Sequence, residues 1–94
     1  MKTKIKVNVV KRKGHEETFD ERKVYASCYA ACLSAGNKHK ESEKVSEKVS
    51  KEIKNWIKKE EFVTSDQVFH RVAAVLEKYN HKAAYMYRTH RDIG

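Results

Sequence analysis

"VVKRKGHEETFDERKV", residues 9–24, contains a strand end, a turn, a returning strand and a helix start within sixteen positions. The strand side begins upstream, where Ile5, Val7 and Val9 alternate with polar residues, the period-2 signature of a half-buried strand. Gly14 supplies the turn, because a residue without Cβ reaches positive φ at no steric cost. "EETF" can return as the second strand, and Asp20 then stands where a helix N-cap belongs, with Glu21 in the first turn. Three consecutive cations, Lys11, Arg12 and Lys13, sit on the turn, and Lys23 follows on the helix. Cations gathered on a tight turn serve solubility, a phosphate or a nucleic acid.

The helices follow from spacing. The first, from about Glu21 to Ala35, places Val24, Cys28, Ala31, Cys32 and Ala35 on one stripe, and Gly36 with Asn37 ends it through a left-handed residue. A polar loop, "GNKHKES", leads into "EKVSEKVSKEIKNWIKKEE". There Val45, Val49, Ile53, Trp56 and Ile57 recur as on one face of a helix. Phe62 and Val63 are β-leaning and mark a break, a short third strand at about residues 61–63, after which Thr64 or Ser65 caps a third helix. That helix carries Val68, Val72, Val75, Leu76 and Tyr79; "KYNHK" breaks it, and "AAYMYRTHRDIG" reads as a shorter fourth. The expectation is an α+β fold, a four-helix bundle capped by a small N-terminal β-sheet of two or three strands.

Ninety-four residues make one domain, 1–94, near the lower end of what folds alone. Such a chain buries roughly 60–70% of the surface that its unfolded form exposes, which leaves little room for a deep catalytic cavity. No apolar run approaches the ~18 residues of a membrane span, and "MKTKIKVNVV" lacks a signal-peptide core, so a cytoplasmic location is the simplest expectation. Cys28 and Cys32 lie four apart on a helix and could share a metal, but no further Cys or His pair completes a zinc set. Two buried core thiols in a reducing compartment are the better reading. Trp56 reads as core, Tyr85 and Tyr87 as packing residues, and the five histidines as exposed.

The net charge is +8. Residues 1–23 hold eight cations against four acids, so half of the excess lies there, while residues 38–61 are nearly balanced at eight against six. A nucleic-acid binder spreads its cations along a helix or a broad face. This chain concentrates them on the hairpin, as a compact phosphate site requires.

Three blocks in order resemble the ATP-cone family: "VVKRKGHEETFDERKV", "VTSDQV" and "KAAYMYRTHRDI". The blocks themselves run from Val9 to Ile93, and the resemblance extends over residues 5–93. Cones of this kind sit at the amino end of many ribonucleotide reductases, in the zinc-ribbon repressor of reductase genes, and in some nuclease-like proteins. The resemblance implies a four-helix bundle with a small β-cap that binds ATP or dATP. It also implies that nucleotide identity is converted into a change of activity or oligomeric state, in the protein itself or in a partner such as a reductase.

The resemblance also assigns residues. Lys11, Arg12 and Lys23 would offset a triphosphate, and Arg88 is a further, weaker candidate. Val9 would pack beside the adenine, Glu17 and Asp20 would accept from base or ribose, and Thr64 would bond a phosphate or support phosphate-held Mg²⁺. Lys13 would face solvent. Each has an ordinary alternative: Lys11 and Arg12 as surface charge, Asp20 as a cap, Arg88 beside a helix end. There is no P-loop and no base placed for hydrolysis, so the chain reads as a binding module and not an enzyme. The chain reads either as a free-standing cone or as a module cut from a longer protein. The competing reading is a small basic nucleic-acid-binding protein, whose affinity would fall steeply with salt.

Overall fold

The computed structural model describes residues 8–10, 16–60 and 62–93, with side chains over 19–60 and 62–89. The elements in chain order are β1 (Asn8–Val10), β2 (Glu16–Thr18), α1 (Glu21–Ser34), α2 (His39–Ile57), β3 (Phe62–Thr64), α3 (Ser65–Tyr79) and α4 (His81–Ile93). The expected strand residues Ile5 and Val7 and the turn residues Lys11, Arg12, Lys13 and Gly14 lie outside the described residues.

The expected bundle with an N-terminal sheet as its cap is corrected. Helices of 14, 19, 15 and 13 residues dominate, and each strand is only three residues long. Ladders that short make few backbone bonds and cannot form a layer of their own over a bundle. Nor are the strands an N-terminal unit. Their order is β2-β1-β3, with β1 antiparallel to β2 and parallel to β3. One of the three strands therefore comes from the middle of the chain. Its central residue, Val63, is 1% exposed and belongs to the helical core.

Helix α1 begins where the sequence predicted. The Asp20 carboxylate accepts from the Arg22 backbone N–H at 3.0 Å, as an N-cap does. It ends in a Schellman arrangement: Gly36 has φ +95°, its N–H donates to the Leu33 carbonyl at 2.9 Å, and the Asn37 N–H donates to the Cys32 carbonyl at 3.0 Å.

Helix α2 starts at His39, so most of the expected loop "GNKHKES" is helical. It buries two adjacent ridges. One is Val45, Val49, Ile53 and Ile57; the other is Ser42, Ser46 and Ser50. His39 and Lys54 extend the serine ridge at i, i+3 and i+4 spacing, and both reach α1: His39 Nδ1 bonds the Tyr29 hydroxyl at 2.5 Å, and Lys54 Nζ lies 3.6 Å from Glu21. Lys48, Glu52 and Trp56, on the far edge of the valine ridge, reach Tyr79, Lys78 and Arg71 of α3. The serine ridge is thus the side of α2 turned to α1. Small serine side chains on that side permit close approach of the two helices.

A single residue separates α3 from α4. The Asn80 N–H donates to the Leu76 carbonyl, closing α3, and its side-chain oxygen accepts from the Ala83 N–H at 3.0 Å, opening α4. The fourth helix consequently starts two residues before the expected Ala83. Leu76, Ile53, Ile57, Val72 and the two thiols complete one core, with Ala83 and Ala84 contributed by α4. Each fully buried aliphatic side chain there stabilises the fold by about 1.5–3 kcal/mol relative to exposure. Trp56 is only partly buried, packed at the edge of this core beneath the Arg71 guanidinium. Tyr87 stacks on Phe69, as a packing residue does, whereas Tyr85 is 59% exposed, contrary to expectation. No helix among the described residues is long and apolar enough to cross a membrane.

Candidate functional site

The strand register places the candidate residues relative to one another. Glu17, Val9 and Val63 form one cross-strand row, and Glu16, Val10 and Thr64 form the next. β1 and β3 run the same way, so Thr64 and the N-terminus of α3 lie at the sheet end where the chain leaves β1 toward Lys11 and Arg12. The α1 start follows Thr18, which pairs with Asn8 at the other end of the ladder. Those two ends are separated by two residue steps, about 7 Å at ~3.3 Å per residue. The fold thus brings Val9, Glu17 and Thr64 to one small sheet and leaves the start of α1 beside it. Lys11 and Arg12 themselves lie outside the described residues.

Asp20 has its capping role in full. Besides the backbone bond, its carboxylate accepts from Arg22 Nε at 3.3 Å and Nη2 at 3.4 Å. These Arg22 hydrogen bonds, side chain first, hold the Asp20 carboxyl below the usual carboxylate range, and the Lys23 charge adds to the effect. Asp20 is therefore an anion at neutral pH, beside an exposed Lys23 on the first turn of α1.

The tertiary structure adds a cation that no motif marks. Lys54, in the last turn of α2, lies 3.6 Å from Glu21 Oε1, because α2 runs back along α1. Arg22, Lys23 and Lys54 therefore share the start of α1 with Asp20 and Glu21. The only sequence signal was the periodicity of α2, which does not say where its end meets α1.

Thr64 caps α3. Its hydroxyl oxygen accepts from the Gln67 N–H, and the Gln67 side chain accepts from the Thr64 N–H, a complete capping box.

Arg88 sits elsewhere. Its Nη1 donates to Glu77 Oε1 at 3.0 Å, and His81 bonds the other Glu77 oxygen. Both contacts hold the Glu77 carboxyl below its usual range, His81 first. Glu77 is thirteen residues beyond Thr64, about 20 Å along α3. Arg88 is thus engaged far along α3 from the sheet.

Cys28 and Cys32 are free thiols in the core, and burial, with the neighbouring Cys32 thiol, pushes Cys28 up to about 12. Among the described residues, no group of three or more His, Cys, Asp or Glu is placed to hold a metal ion. His39, His70 and His81 are exposed, as expected. The bonds of His39 to Tyr29 and of His81 to Glu77 escaped sequence reading, although Glu77 and His81 stand at i and i+4.

The profile of the ATP cone domain matches residues 7–93 of the chain. No curated protein sequence matches it.

Proposed function

The chain belongs to the ATP-cone family, whose members are nucleotide-binding regulatory modules without a catalytic role, and we propose that it senses ATP or dATP. On this reading it binds the nucleotide without hydrolysis and changes its own assembly or the activity of a partner, a reductase being one candidate class. Lys11, Arg12 and Lys23 offset the phosphates, Val9 packs beside the base, and Glu17 and Asp20 accept from base or ribose. Thr64 donates to a phosphate, Mg²⁺ is carried by the phosphate oxygens, and Arg88 contributes if it exchanges its Glu77 contact.

The observation that carries the proposal is the family match over residues 7–93, which takes in the basic hairpin, the Thr64 cap and the Arg88 helix in order. The strand register supports it. Parallel pairing of Val10 with Thr64 sets the α3 N-terminus beside the chain that leads into Lys11 and Arg12. Helix N-termini favour anions there. Asp20, already ionised, suits hydrogen-bond acceptance from a base amine or ribose hydroxyl better than phosphate contact.

Calorimetric titration with ATP, dATP and GTP, with and without Mg²⁺, tests the proposal. Adenine nucleotides should bind and GTP should not. Replacing Lys11 and Arg12 together by Ala should weaken binding at least tenfold, since charge-assisted hydrogen bonds are worth about 1.5–3 kcal/mol each. Equal uptake of GTP, or no uptake by a folded sample, would overturn it. Preferential binding of an oligonucleotide with steep salt dependence would favour the nucleic-acid reading.

A further inference from the structure

The near balance of charge over residues 38–61 hides a separation of the two signs on the surface of α2. Lys40, Lys44, Lys48, Lys51, Asn55 and Lys58 follow one another at intervals of 4, 4, 3, 4 and 3 residues, the spacing of one helix face. All six are exposed, and they lie opposite the buried Val49 and Ile53. The row holds five cations and no acid.

The acids of α2 stand beside the row and are drawn away from it. Glu43 lies 3.4 Å from His39, and Glu52 lies 3.0 Å from Lys78 and accepts from the Tyr79 hydroxyl. Burial, then the charges of Glu43 and Glu47, push the Tyr25 hydroxyl up, which sets both carboxylates toward α1. Lys40, Lys44, Lys51 and Lys58 make no ion pair with a described residue, and Lys48 lies 5.8 Å from the Tyr79 ring centroid. The fold gains nothing from the row. Lys40 with Lys44 and Lys44 with Lys48 are like-charge pairs at i, i+4, which weaken a helix.

We propose that the outer face of α2 binds the phosphate backbone of double-stranded DNA without reading its sequence. From Lys40 to Lys58 the row rises about 27 Å at ~1.5 Å per residue, the length of about eight base pairs at ~3.4 Å each. Lysines act there as point charges, each offering three donors to the phosphate oxygens it meets. The row has no aromatic ring on which an unpaired base would stack, which favours a duplex over a single strand. It has no apolar side chain to enter an acyl layer, because the apolar face of α2 is spent on the core. Its lysines carry no acceptor for the 2′-hydroxyl protons through which proteins tell RNA from DNA.

This face is separate from the proposed nucleotide site. Lys54, which meets the start of α1 at Glu21, is ten residues beyond Lys44, about 15 Å along α2. DNA binding on α2 therefore does not depend on the nucleotide reading.

Fluorescence anisotropy of a labelled DNA duplex of about 20 base pairs, longer than the row, reads the binding over a salt series. Calorimetry with ATP on the same samples reads the nucleotide site. For the wild-type chain, log K should fall against log salt with a slope of about −4.5, about −0.9 for each of five contacts. Lys44→Gln with Lys51→Gln should lower the steepness by about two and weaken binding at least about tenfold at low salt, with helical content and ATP heats retained. Lys78→Gln with Lys82→Gln removes the same charge from α3 and α4 and should weaken binding less than about threefold. Absence of duplex binding at low salt, or equal losses from the two double substitutions, overturns the proposal. So does tighter binding to an RNA duplex or to phosphatidylserine vesicles, or DNA binding that Lys11→Ala with Arg12→Ala abolishes and the α2 substitutions leave intact. DNA binding lost through the α2 substitutions, in a chain that gives no ATP heat, would retain the proposal and reject the nucleotide reading instead.

Discussion

Thr64 and Gln67 satisfy each other at the start of α3: the Gln67 backbone N–H donates to the Thr64 hydroxyl oxygen at 3.0 Å, and the Thr64 backbone N–H donates to the Gln67 side-chain oxygen at 2.9 Å. The capping role is thus sufficient to explain Thr64, and a phosphate contact has to be separated from it. Thr64→Ala should cost about 1 kcal/mol of stability, Gln67→Ala less, and Thr64→Ser almost nothing in urea denaturation. Calorimetry should then find nucleotide binding weakened by Thr64→Ala and unchanged by Gln67→Ala. Equal effects of the two on affinity would assign Thr64 to the cap alone.

Asp20 links the fold to pH. Its folded pKa is depressed by Arg22, so its charge stabilises the fold above the unfolded value near 4 and loses that contribution as pH falls through the folded value. Glu52, held down by hydrogen bonds from Tyr79 and Lys78, and Glu77, held down by His81 and Arg88, act in the same direction. Asp20→Asn keeps a capping oxygen but removes the charge. Its melting temperature should fall below that of the wild type at neutral pH and converge with it in strong acid. A constant difference across the titration would contradict this.

Burial holds Cys28 protonated at any physiological pH, with its ionisation pushed up to about 12. Because the thiolate is the reactive form, a disulfide reagent at mildly alkaline pH should label neither Cys28 nor the equally buried Cys32 in the folded chain. Both should react in denaturant. Rapid labelling under native conditions would mean that α1 opens readily from α2.

The hydroxyls of Ser42, Ser46 and Ser50 are buried without a hydrogen-bond partner. An unsatisfied buried hydroxyl costs about 1–3 kcal/mol, and Ala also has the higher helix propensity. Ser42→Ala with Ser46→Ala should raise the melting temperature by several degrees, since ~1 kcal/mol is worth about 4–8 °C in a domain of this size. A fall instead would show that these hydroxyls bond the preceding helical turn. Ser46→Val should destabilise, because a larger side chain forces α1 and α2 apart.

Arg88→Ala should leave stability nearly unchanged, because its ion pair with Glu77 is exposed and screened by solvent. In the proposed site it should weaken nucleotide binding less than Lys11→Ala does. A loss as large as that of Lys11→Ala would mean that Arg88 swings away from Glu77 when nucleotide binds.

Much of this was written locally in the chain. The i, i+4 recurrence of Val45, Val49, Ile53 and Ile57 predicted one helix face and the core it enters, and the Asp20 and Gly36 signals bounded α1. The α2 start was missed because polar residues before Ser42 resemble a loop when nothing shows that they continue a helix. The α4 start was missed because Asn80 alone closes one helix and opens the next.

By itself the chain determined that there are four helices, the caps that bound α1, its charge placement and its family resemblance, since each depends on residues within a few positions of one another or on short motifs. Only the tertiary structure decided that Val10 pairs with Thr64, that Lys54 meets Glu21, and that Arg88 is engaged with Glu77 far along α3. The physical reason is range. Backbone pairing between segments some fifty residues apart carries no side-chain code, and the meeting of two helix ends is set by how the whole core packs.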